Sequence, residues 1–184
     1  MPHTRYPAGI WAVDFEFHPA HGREGNCPVP VCMVARNLTT KQTLRFWQDQ
    51  LRSLRQAPYP TGPDAITVAY FASAEMNCFL QLGWPLPINL LDLFTEFRNL
   101  TNGTSPAQGN GLLGALAYFD LPAIGGGEKT AMRDLVLSGG PWNKSEQSAI
   151  LDYCESDVTA LANLFPAMVP TMDCLIRSGT ETQL

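Results

Sequence analysis

The sequence has few positive charges, no long apolar run and no paired cysteine motif. Its 184 residues include 12 lysines and arginines against 17 aspartates and glutamates, which gives a net charge of −5. A protein that coats duplex nucleic acid is usually basic, so this balance argues against broad electrostatic wrapping of DNA. It leaves open an acidic enzyme that gathers divalent cations and grips only a short strand end.

The absence of a long apolar segment and of a basic leader predicts where the protein works. No run approaches the roughly 20 apolar residues that a membrane-spanning helix needs. The opening MPHTRYPAGIWAVDF has no basic stretch followed by an apolar core. The five cysteines are odd in number and form no Cys-x-x-Cys pair, which argues against a disulfide framework or a structural zinc site. We therefore expect a cytoplasmic protein with no membrane partner.

Apolar periodicity predicts a strand-rich first half and a helical second half. GIWAVDFEF, VPVCMVARNL and QTLRFWQ are predicted strands, followed by the strand ITVAYF, the helix SAEMNCFLQLG and the strand INLLDLF. Ser73 is the predicted N-cap of that helix and Gly83 its end. Three further helices are predicted in TEFRNL, GLLGALAYF and EKTAMRDLVLS, before a long one from about Ser145, its predicted cap, to Leu164. This order predicts one α/β domain over residues 1–184, with a mixed sheet that is antiparallel first and parallel later.

The segment WAVDFEFHP, residues 11 to 19, puts two carboxylates inside an apolar run. In a strand Asp14 and Glu16 point to the same face, so two oxygen ligands can reach one hard cation from a rigid support. Burying two unpaired charges side by side would otherwise cost several kcal/mol. Solvated acids at a sheet edge are the alternative, although the flanking aromatic residues favour burial.

A second group of polar residues lies in ILDYCESDVTAL, within the predicted last helix. Tyr153 and Asp157 are four residues apart and therefore share one helix face. Asp157 could complete a metal site with Asp14 and Glu16, and Tyr153 would then place its hydroxyl where a nucleophilic water could bind. Taken alone, the pair is more simply explained as a surface tyrosine and a surface aspartate on an amphipathic helix.

Together, and in this order, the two groups resemble motifs of the DEDD superfamily of 3′–5′ exonucleases, in its tyrosine-bearing subclass. VDFEF is similar to the first motif and YCESD to the third, Tyr-x-x-x-Asp. The sequence looks most like the proofreading exonuclease domain of family A DNA polymerases, over about residues 9–168. The resemblance implies a ribonuclease H-like exonuclease fold, with a central mixed five-stranded sheet flanked by helices.

The middle motif departs from the family pattern. The family places an aspartate early in the helix after the fourth strand, often preceded by an asparagine. Glu75 stands at the place of that acid and Phe71 at the place of the asparagine. The resemblance therefore implies Glu75 as the second-motif acid, while an ordinary first-turn glutamate favoured by the helix dipole is the alternative. Asp92 is a fallback ligand, or a residue that caps or orients something at the strand end.

The resemblance implies a two-metal-ion hydrolysis of phosphodiester bonds from the 3′ end of single-stranded DNA. Asp14, Glu16, Glu75 and Asp157 would hold two divalent cations, Mg²⁺ or Mn²⁺, which suit oxygen ligands. Glu16 and Tyr153 would be the catalytic residues. With a phenol pKa of about 10, Tyr153 would orient the attacking water rather than act as its base. An RNA-directed 3′–5′ exonuclease is an alternative, because ribonuclease D and its relatives share the tyrosine motif.

Substrate binding would rely on aromatic stacking and on a few basic side chains. Phe15, Phe17 and Phe71 lie near the acidic motifs in sequence, although core packing explains them equally well. Lys129 and Arg133 could contact backbone phosphates, although a solvated helix face explains them equally well.

Proofreading would require a DNA polymerase in trans or in a longer parent chain. A different class of function is a catalytically weakened exonuclease-like module that binds nucleic acid or a polymerase partner, which the departures at Glu75 and Phe71 favour. The terminal TETQL resembles a ligand for strand addition to a PDZ domain, an ending that often arises by chance.

A metal site built from repelling acids makes a prediction about stability. Carboxylates that destabilise the metal-free protein become ligands when cations bind, so Mn²⁺ should raise the melting temperature. The Asp14→Ala change should abolish activity and weaken that thermal response. Calorimetry with and without Mn²⁺ measures the effect, and an unchanged melting temperature for the unmodified protein would count heavily against the site.

Overall fold

The computed structural model describes residues 6–19, 28–102, 104–122 and 129–181, with side chains as far as residue 172 and without that of Lys129. The side chains of the TETQL ending therefore lie outside it. The strands are β1 (Gly9–Pro19), β2 (Pro28–Asn37), β3 (Thr43–Trp47), β4 (Ala65–Ala69) and β5 (Leu90–Asp92). The helices are α1 (Gln48–Ser53), α2 (Ser73–Leu82), α3 (Leu93–Thr101), α4 (Leu112–Tyr118), α5 (Lys129–Leu137) and α6 (Lys144–Glu181).

The five strands form one mixed sheet in the order β3-β2-β1-β4-β5. Strands β1, β2 and β3 pair antiparallel, whereas β4 pairs parallel with both β1 and β5. The antiparallel pairs follow each other along the chain, and the parallel pair β4–β5 is joined through α2, as a parallel connection requires. The predicted α/β class and mixed sheet are confirmed.

Strand β1 lies at the centre of the sheet, and its side chains alternate between two core clusters. Val13 and Phe15 pack on one face with residues of α1 and α2. Ala12 packs on the other face, in the cluster that contains the apolar side of α6. Asp14 and Glu16 are two and four residues beyond Ala12, so they project from the α6 face of the sheet. A shift in register directly after Glu16 marks a β-bulge, a feature that re-aims side chains near functional sites.

Helix α6 is longer than the sequence predicts, because it continues past Leu164 to the end of Lys144–Glu181. Pro166 and Pro170 lie inside it, and each removes a backbone hydrogen bond. Both prolines are exposed, whereas Leu164 and Met168 on the opposite face are fully buried. Burial of that apolar face offsets the lost hydrogen bonds. Neither α6 nor any other helix in the described part of the chain combines the length and apolar character that crossing a bilayer requires.

The two predicted serine caps are wrong. Helix α2 already includes Ser73, and Ala72 is its N-cap. At the start of α6, the Asn143 side chain accepts a hydrogen bond from the backbone N–H of Glu146 at 3.0 Å. The Glu146 carboxylate accepts one from the backbone N–H of Asn143 at 2.8 Å. This reciprocal pair is a capping box, and Ser145 lies inside the helix that it begins.

The ends of three further elements, β5, β3 and α2, have local causes. The predicted strand INLLDLF contracts to Leu90–Asp92, because the Asp92 carboxylate accepts a backbone hydrogen bond at the start of α3. The predicted strand QTLRFWQ ends at Trp47, where the Gln50 side chain accepts from the Trp47 backbone N–H and begins α1, a helix that was not predicted. Gly83 ends α2 as predicted, in the left-handed conformation with φ 69°.

The capping box of α6 can be tested by comparing Asn143→Ala with Ser145→Ala. Asn143→Ala should lower the free energy of unfolding by about 1 kcal/mol, because the backbone N–H of Glu146 loses its acceptor. Ser145→Ala is the matched control and should change it by less than about 0.5 kcal/mol. Urea denaturation measures both, and equal losses for the two variants would show that the cap contributes nothing.

Candidate metal centre

Three carboxylates from the two ends of the described chain converge on the α6 face of the sheet. Asp14 and Glu16 come from β1 and Asp157 comes from α6. One oxygen of each lies within 4.8 Å of the others, and all three residues are half-buried. The two predicted groups of polar residues therefore meet in space.

The burial of α6 sets the direction of Asp157. Ile150, Cys154 and Val158 recur every four residues along the helix and are fully buried against the sheet. Tyr153 and Asp157 occupy the neighbouring stripe, one position before Cys154 and Val158 respectively. Because the apolar stripe fixes the rotation of the helix, both polar side chains are directed to the edge of the buried face.

Ion pairs from the neighbouring sheet edge hold the other flank of α6. Arg45 on β3 contacts Asp152 at 2.6 Å and Glu155 at 2.9 Å. Partial exposure limits what such pairs contribute to stability. Asp152 and Glu155 are therefore paired with Arg45, whereas Asp157 lies near the two acids of β1.

The thiol of Cys154 contacts the first acid of the cluster, a contact that sequence reasoning missed. Its sulfur lies 3.3 Å from Asp14 Oδ2 and 3.3 Å from the backbone oxygen of Asp14. Burial, followed by the neighbouring Cys32, raises the pKa of the Cys154 thiol. It therefore stays protonated and donates to Asp14, tying β1 to α6 at the site. No feature of the sequence indicated this contact.

Glu75 is the only acidic or basic residue of the described chain that is buried, with 3% of its surface exposed. Burial first, and then the nearby Asp14 carboxylate, raise the pKa of Glu75 well above its usual value, and Asp92 adds to the effect. Among the described residues, nothing forms a hydrogen bond with Glu75 Oε2. Glu75 does lie in the first turn of α2, as the alternative has it, but it is buried there. Glu75 lies within electrostatic reach of Asp14, although outside the 4.8 Å cluster.

Asp92 has the capping role that was its second alternative. Its Oδ1 accepts hydrogen bonds from the backbone N–H groups of Phe71 at 2.9 Å and Phe94 at 3.0 Å. Its Oδ2 accepts from the Thr95 hydroxyl at 3.1 Å. Three donors therefore occupy this carboxylate, which orients the end of β4 against the start of α3.

A groove runs beside the acids, between α5 and α6. One part has a volume of about 260 Å³ and a second part about 480 Å³, and Arg133, Leu137 and Tyr153 line both. Glu16 and Phe17 complete the wall of the smaller part. Burial, followed by Asp157 and the other carboxylates, raises the pKa of Tyr153 above its usual value. Its phenol is therefore protonated at neutral pH, beside the cation of Arg133.

The predicted substrate residues divide into three cases. Arg133 lies in the groove beside Tyr153. Phe15 is buried, with 3% exposure, and packs against Phe79 and Trp84. Phe15 is therefore a core residue, and it has no free ring face on which a base could stack. The side chain of Lys129 lies outside the part of the chain that the structure describes.

The donor set fits a hard divalent cation. Asp14, Glu16 and Asp157 offer carboxylate oxygens from two rigid elements, the ligand type that Mg²⁺ and Mn²⁺ prefer. Glu75 adds a buried carboxylate oxygen whose missing partner a cation or its water would supply. The three clustered carboxylates therefore suit one divalent cation.

Comparison with known proteins supports the fold and leaves the activity open. No family model and no curated protein matches the sequence. The catalytic core of RRP6 from Trypanosoma brucei matches over 90% of this chain, with 19% identity and a TM-score of 0.63. A cysteine-to-serine mutant of that core gives 17% identity and 0.57, again over 90% of this chain. The chain spans 42% of the length of both structures.

The EXO domain of Nibbler from Aedes aegypti also matches, over 91% of this chain and 80% of its own, with 9% identity and a TM-score of 0.46. The five-stranded mixed sheet and its flanking helices, shared with the RRP6 core, form a ribonuclease H-like exonuclease fold. The fold that the motif resemblance implied is confirmed.

Because Glu75 is buried, its replacement should have opposite effects on the stability of the metal-free protein and on the stabilisation that metal provides. In EDTA, Glu75→Gln should raise the free energy of unfolding by about 1 kcal/mol, or roughly 2–4 °C, because it removes a carboxyl group that must either be buried as a charge near Asp14 or take up a proton on folding. With Mn²⁺ the variant should gain less stability than the unmodified protein. Glu96→Gln, the same change in the first turn of α3, is the control. Thermal unfolding in which both variants behaved alike would refute the special position of Glu75.

Proposed function

We propose that this protein is a metal-dependent 3′–5′ exonuclease, which hydrolyses phosphodiester bonds at the 3′ end of single-stranded nucleic acid. The observation that carries the proposal is the convergence of Asp14, Glu16 and Asp157 within 4.8 Å of one another. Tyr153, one helical turn before Asp157, lines the adjoining groove. The order of these motifs resembles the tyrosine subclass of DEDD exonucleases, and the fold agrees with that resemblance. We propose that the whole chain acts as one exonuclease domain.

In this proposal the carboxylates divide between two cation positions. Asp14, Glu16 and Asp157 would hold one divalent cation, and Glu75 would contribute to holding a second. Bound Mg²⁺ or Mn²⁺ supplies charge stabilisation at the phosphoryl group and lowers the pKa of a water molecule. Cys154 supports the arrangement, because its thiol fixes the oxygen of Asp14 that points toward α6.

Tyr153 has the role of positioning the attacking water. Its protonated phenol can hold a water molecule by a hydrogen bond, in line with the scissile bond. The water oxygen attacks phosphorus and loses a proton to solvent, while the bond from phosphorus to the 3′ oxygen of the preceding nucleotide breaks. That oxygen takes up a proton to become a 3′ hydroxyl, and a nucleoside 5′-monophosphate leaves. Tyr153 is unsuited to act as a base, because its burial among acids disfavours the phenolate.

Arg133 supplies a positive charge where the substrate backbone would pass. Arg133 lines the groove with Tyr153 and Glu16, and arginine can hold phosphate oxygens through several donors. Phe17 and Leu137 give the same groove an apolar wall that suits a sugar or a base. A short groove beside the acids, in a chain of net charge −5, fits a strand end better than a long duplex.

DNA is the substrate that we propose first, because the motifs look most like those of family A proofreading domains. In that case a DNA polymerase would act beside it, in trans or in a longer parent chain. RNA is the alternative, since ribonuclease D shares the tyrosine motif.

A catalytically weakened binding module is the second class of function. It is favoured by the long, buried side chain of Glu75 in the place of the usual aspartate.

A single assay separates these functions. Single-stranded DNA and RNA of one sequence, each labelled at the 5′ end, are incubated with the protein and Mn²⁺. We expect a ladder that shortens from the 3′ end. Asp14→Asn should lower the rate by about 1,000-fold or more. Tyr153→Phe should lower kcat by about 10- to 100-fold with little change in KM. Tyr118→Phe, on an exposed tyrosine of α4, is the matched control and should have no effect.

Each alternative has its own outcome in this assay. Shortening of RNA alone would identify an RNA-directed enzyme. Binding of either strand without shortening, in Mg²⁺ and in Mn²⁺, would identify the binding module and contradict the proposed activity. Cleavage that survives Asp14→Asn would place the chemistry somewhere other than the acidic cluster.

A further inference from the structure

Phe71 holds an unusual backbone conformation at the end of β4. Its φ is 67°, in the left-handed region that bulky side chains rarely adopt. Of the non-glycine residues with positive φ in the described chain, Phe71 is the only aromatic one; the others are Lys41, Asn102 and Asp120. Asparagine tolerates this conformation better than phenylalanine does, so the aromatic residue here is unfavourable for the local backbone.

The ring of Phe71 is also exposed, although it has an aromatic support. About half of the residue, 53%, is open to solvent. Its ring meets that of Phe94 edge to face, with centroids 5.2 Å apart, and Phe94 in turn contacts Tyr70 at 5.9 Å. Strain and exposure are both unfavourable for the isolated protein, so neither explains why a phenylalanine occupies this place.

One carboxylate binds the backbone of both aromatic residues. Asp92 Oδ1 accepts hydrogen bonds from the backbone N–H groups of Phe71 and Phe94. The two aromatic residues come from different elements, the end of β4 and the start of α3, and Asp92 sets their relative position. The Phe71 ring is therefore held in place before any ligand arrives, which lowers the entropic cost of binding.

The aromatic pair lies at the same end of the sheet as the acids. Strand β4 runs parallel to β1, with Ala12 beside Val68, so both chains continue past that register toward the same edge. Glu75 follows Phe71 by four residues, and its pKa is raised by Asp14 and also by Asp92. The carboxylate that holds Phe71 and the first acid of the metal centre are thus both within electrostatic reach of Glu75.

We infer that Phe71, supported by Phe94, is a stacking surface for a nucleobase of the substrate strand, on the β4–α3 side of the metal centre. The inference rests on the proposed function, and it deepens that function by naming a base contact separate from the phosphate groove of Arg133. Stacking is tolerant of base identity, because every base has a π face. A substrate strand would then be held by its backbone near α5 and by a base near Phe71.

The test separates stacking from strain with three substitutions. Phe71→Asn should raise the melting temperature by about 2–4 °C through relief of backbone strain, yet weaken binding of single-stranded DNA by about 5- to 150-fold. Phe71→Leu keeps the strain and the apolar bulk, so it should weaken binding without stabilising. Phe71→Tyr should retain binding. Ile88→Ala, on a more exposed apolar residue before β5, is the control and should leave binding unchanged.

Binding is measured by fluorescence anisotropy in Ca²⁺, with oligonucleotides in which each of the last several bases is removed in turn. An abasic position that weakens binding to the unmodified protein but not to Phe71→Asn identifies the stacked base. Equal affinity of Phe71→Asn and the unmodified protein would overturn the inference. So would a result in which each abasic position weakens binding to Phe71→Asn as much as it weakens binding to the unmodified protein.

The nuclease ladder, run in parallel, distinguishes failure of this inference from failure of the proposed function. Cleavage by the unmodified protein that Phe71→Asn leaves unchanged overturns the stacking surface alone. Phe71-dependent binding without any cleavage supports the stacking surface and contradicts the exonuclease. A protein that neither binds nor cleaves single strands overturns both.

Discussion

Repulsion among carboxylates at one end of the sheet is the constraint on which the arrangement of this protein depends. Asp14, Glu16 and Asp157 share a small volume, and Glu75 is buried within reach of Asp14. Like charges in a poorly solvated site disfavour the compact state. The rest of the fold opposes that effect: β1 is paired on both sides within the sheet, and the buried face of α6 extends as far as Met168. Stability is therefore supplied by the core and lost at the acidic cluster.

The order of strands and helices was predictable because it follows from apolar periodicity. The residues at which individual helices begin and end were not. Alternation in β1 and four-residue spacing in α6 are long, strong patterns. The caps depend on single hydrogen bonds: Asn143 rather than Ser145 begins α6, and Gln50 begins an unpredicted α1. The prolines of α6 are local signals of a helix end, and the burial of Met168 on the opposite face overrides them. Such competition between local and tertiary terms is not visible in the sequence.

The candidate site divides in the same way. The convergence of Asp14 and Asp157 was predictable from two ordered motifs. The contact of Cys154 with Asp14 was not, because a buried cysteine in a helix has no sequence signal of its own. Phe15 and Phe71 looked alike in sequence, yet one is 3% and the other 53% exposed. Phe15 lies inside the central strand β1, whereas Phe71 lies just past the end of β4 with a left-handed backbone, so the difference is a property of the fold rather than of the residue type.

The central claim is that acids from β1 and α6 form one cation site, and a crystal soaked in Mn²⁺ tests it most directly. Anomalous scattering locates manganese without reference to any assumed ligand. The account predicts a peak about 2.1 Å from oxygens of Asp14, Glu16 and Asp157 together, with a second peak between Asp14 and Glu75. Manganese bound elsewhere, or no peak at millimolar concentration, would contradict it.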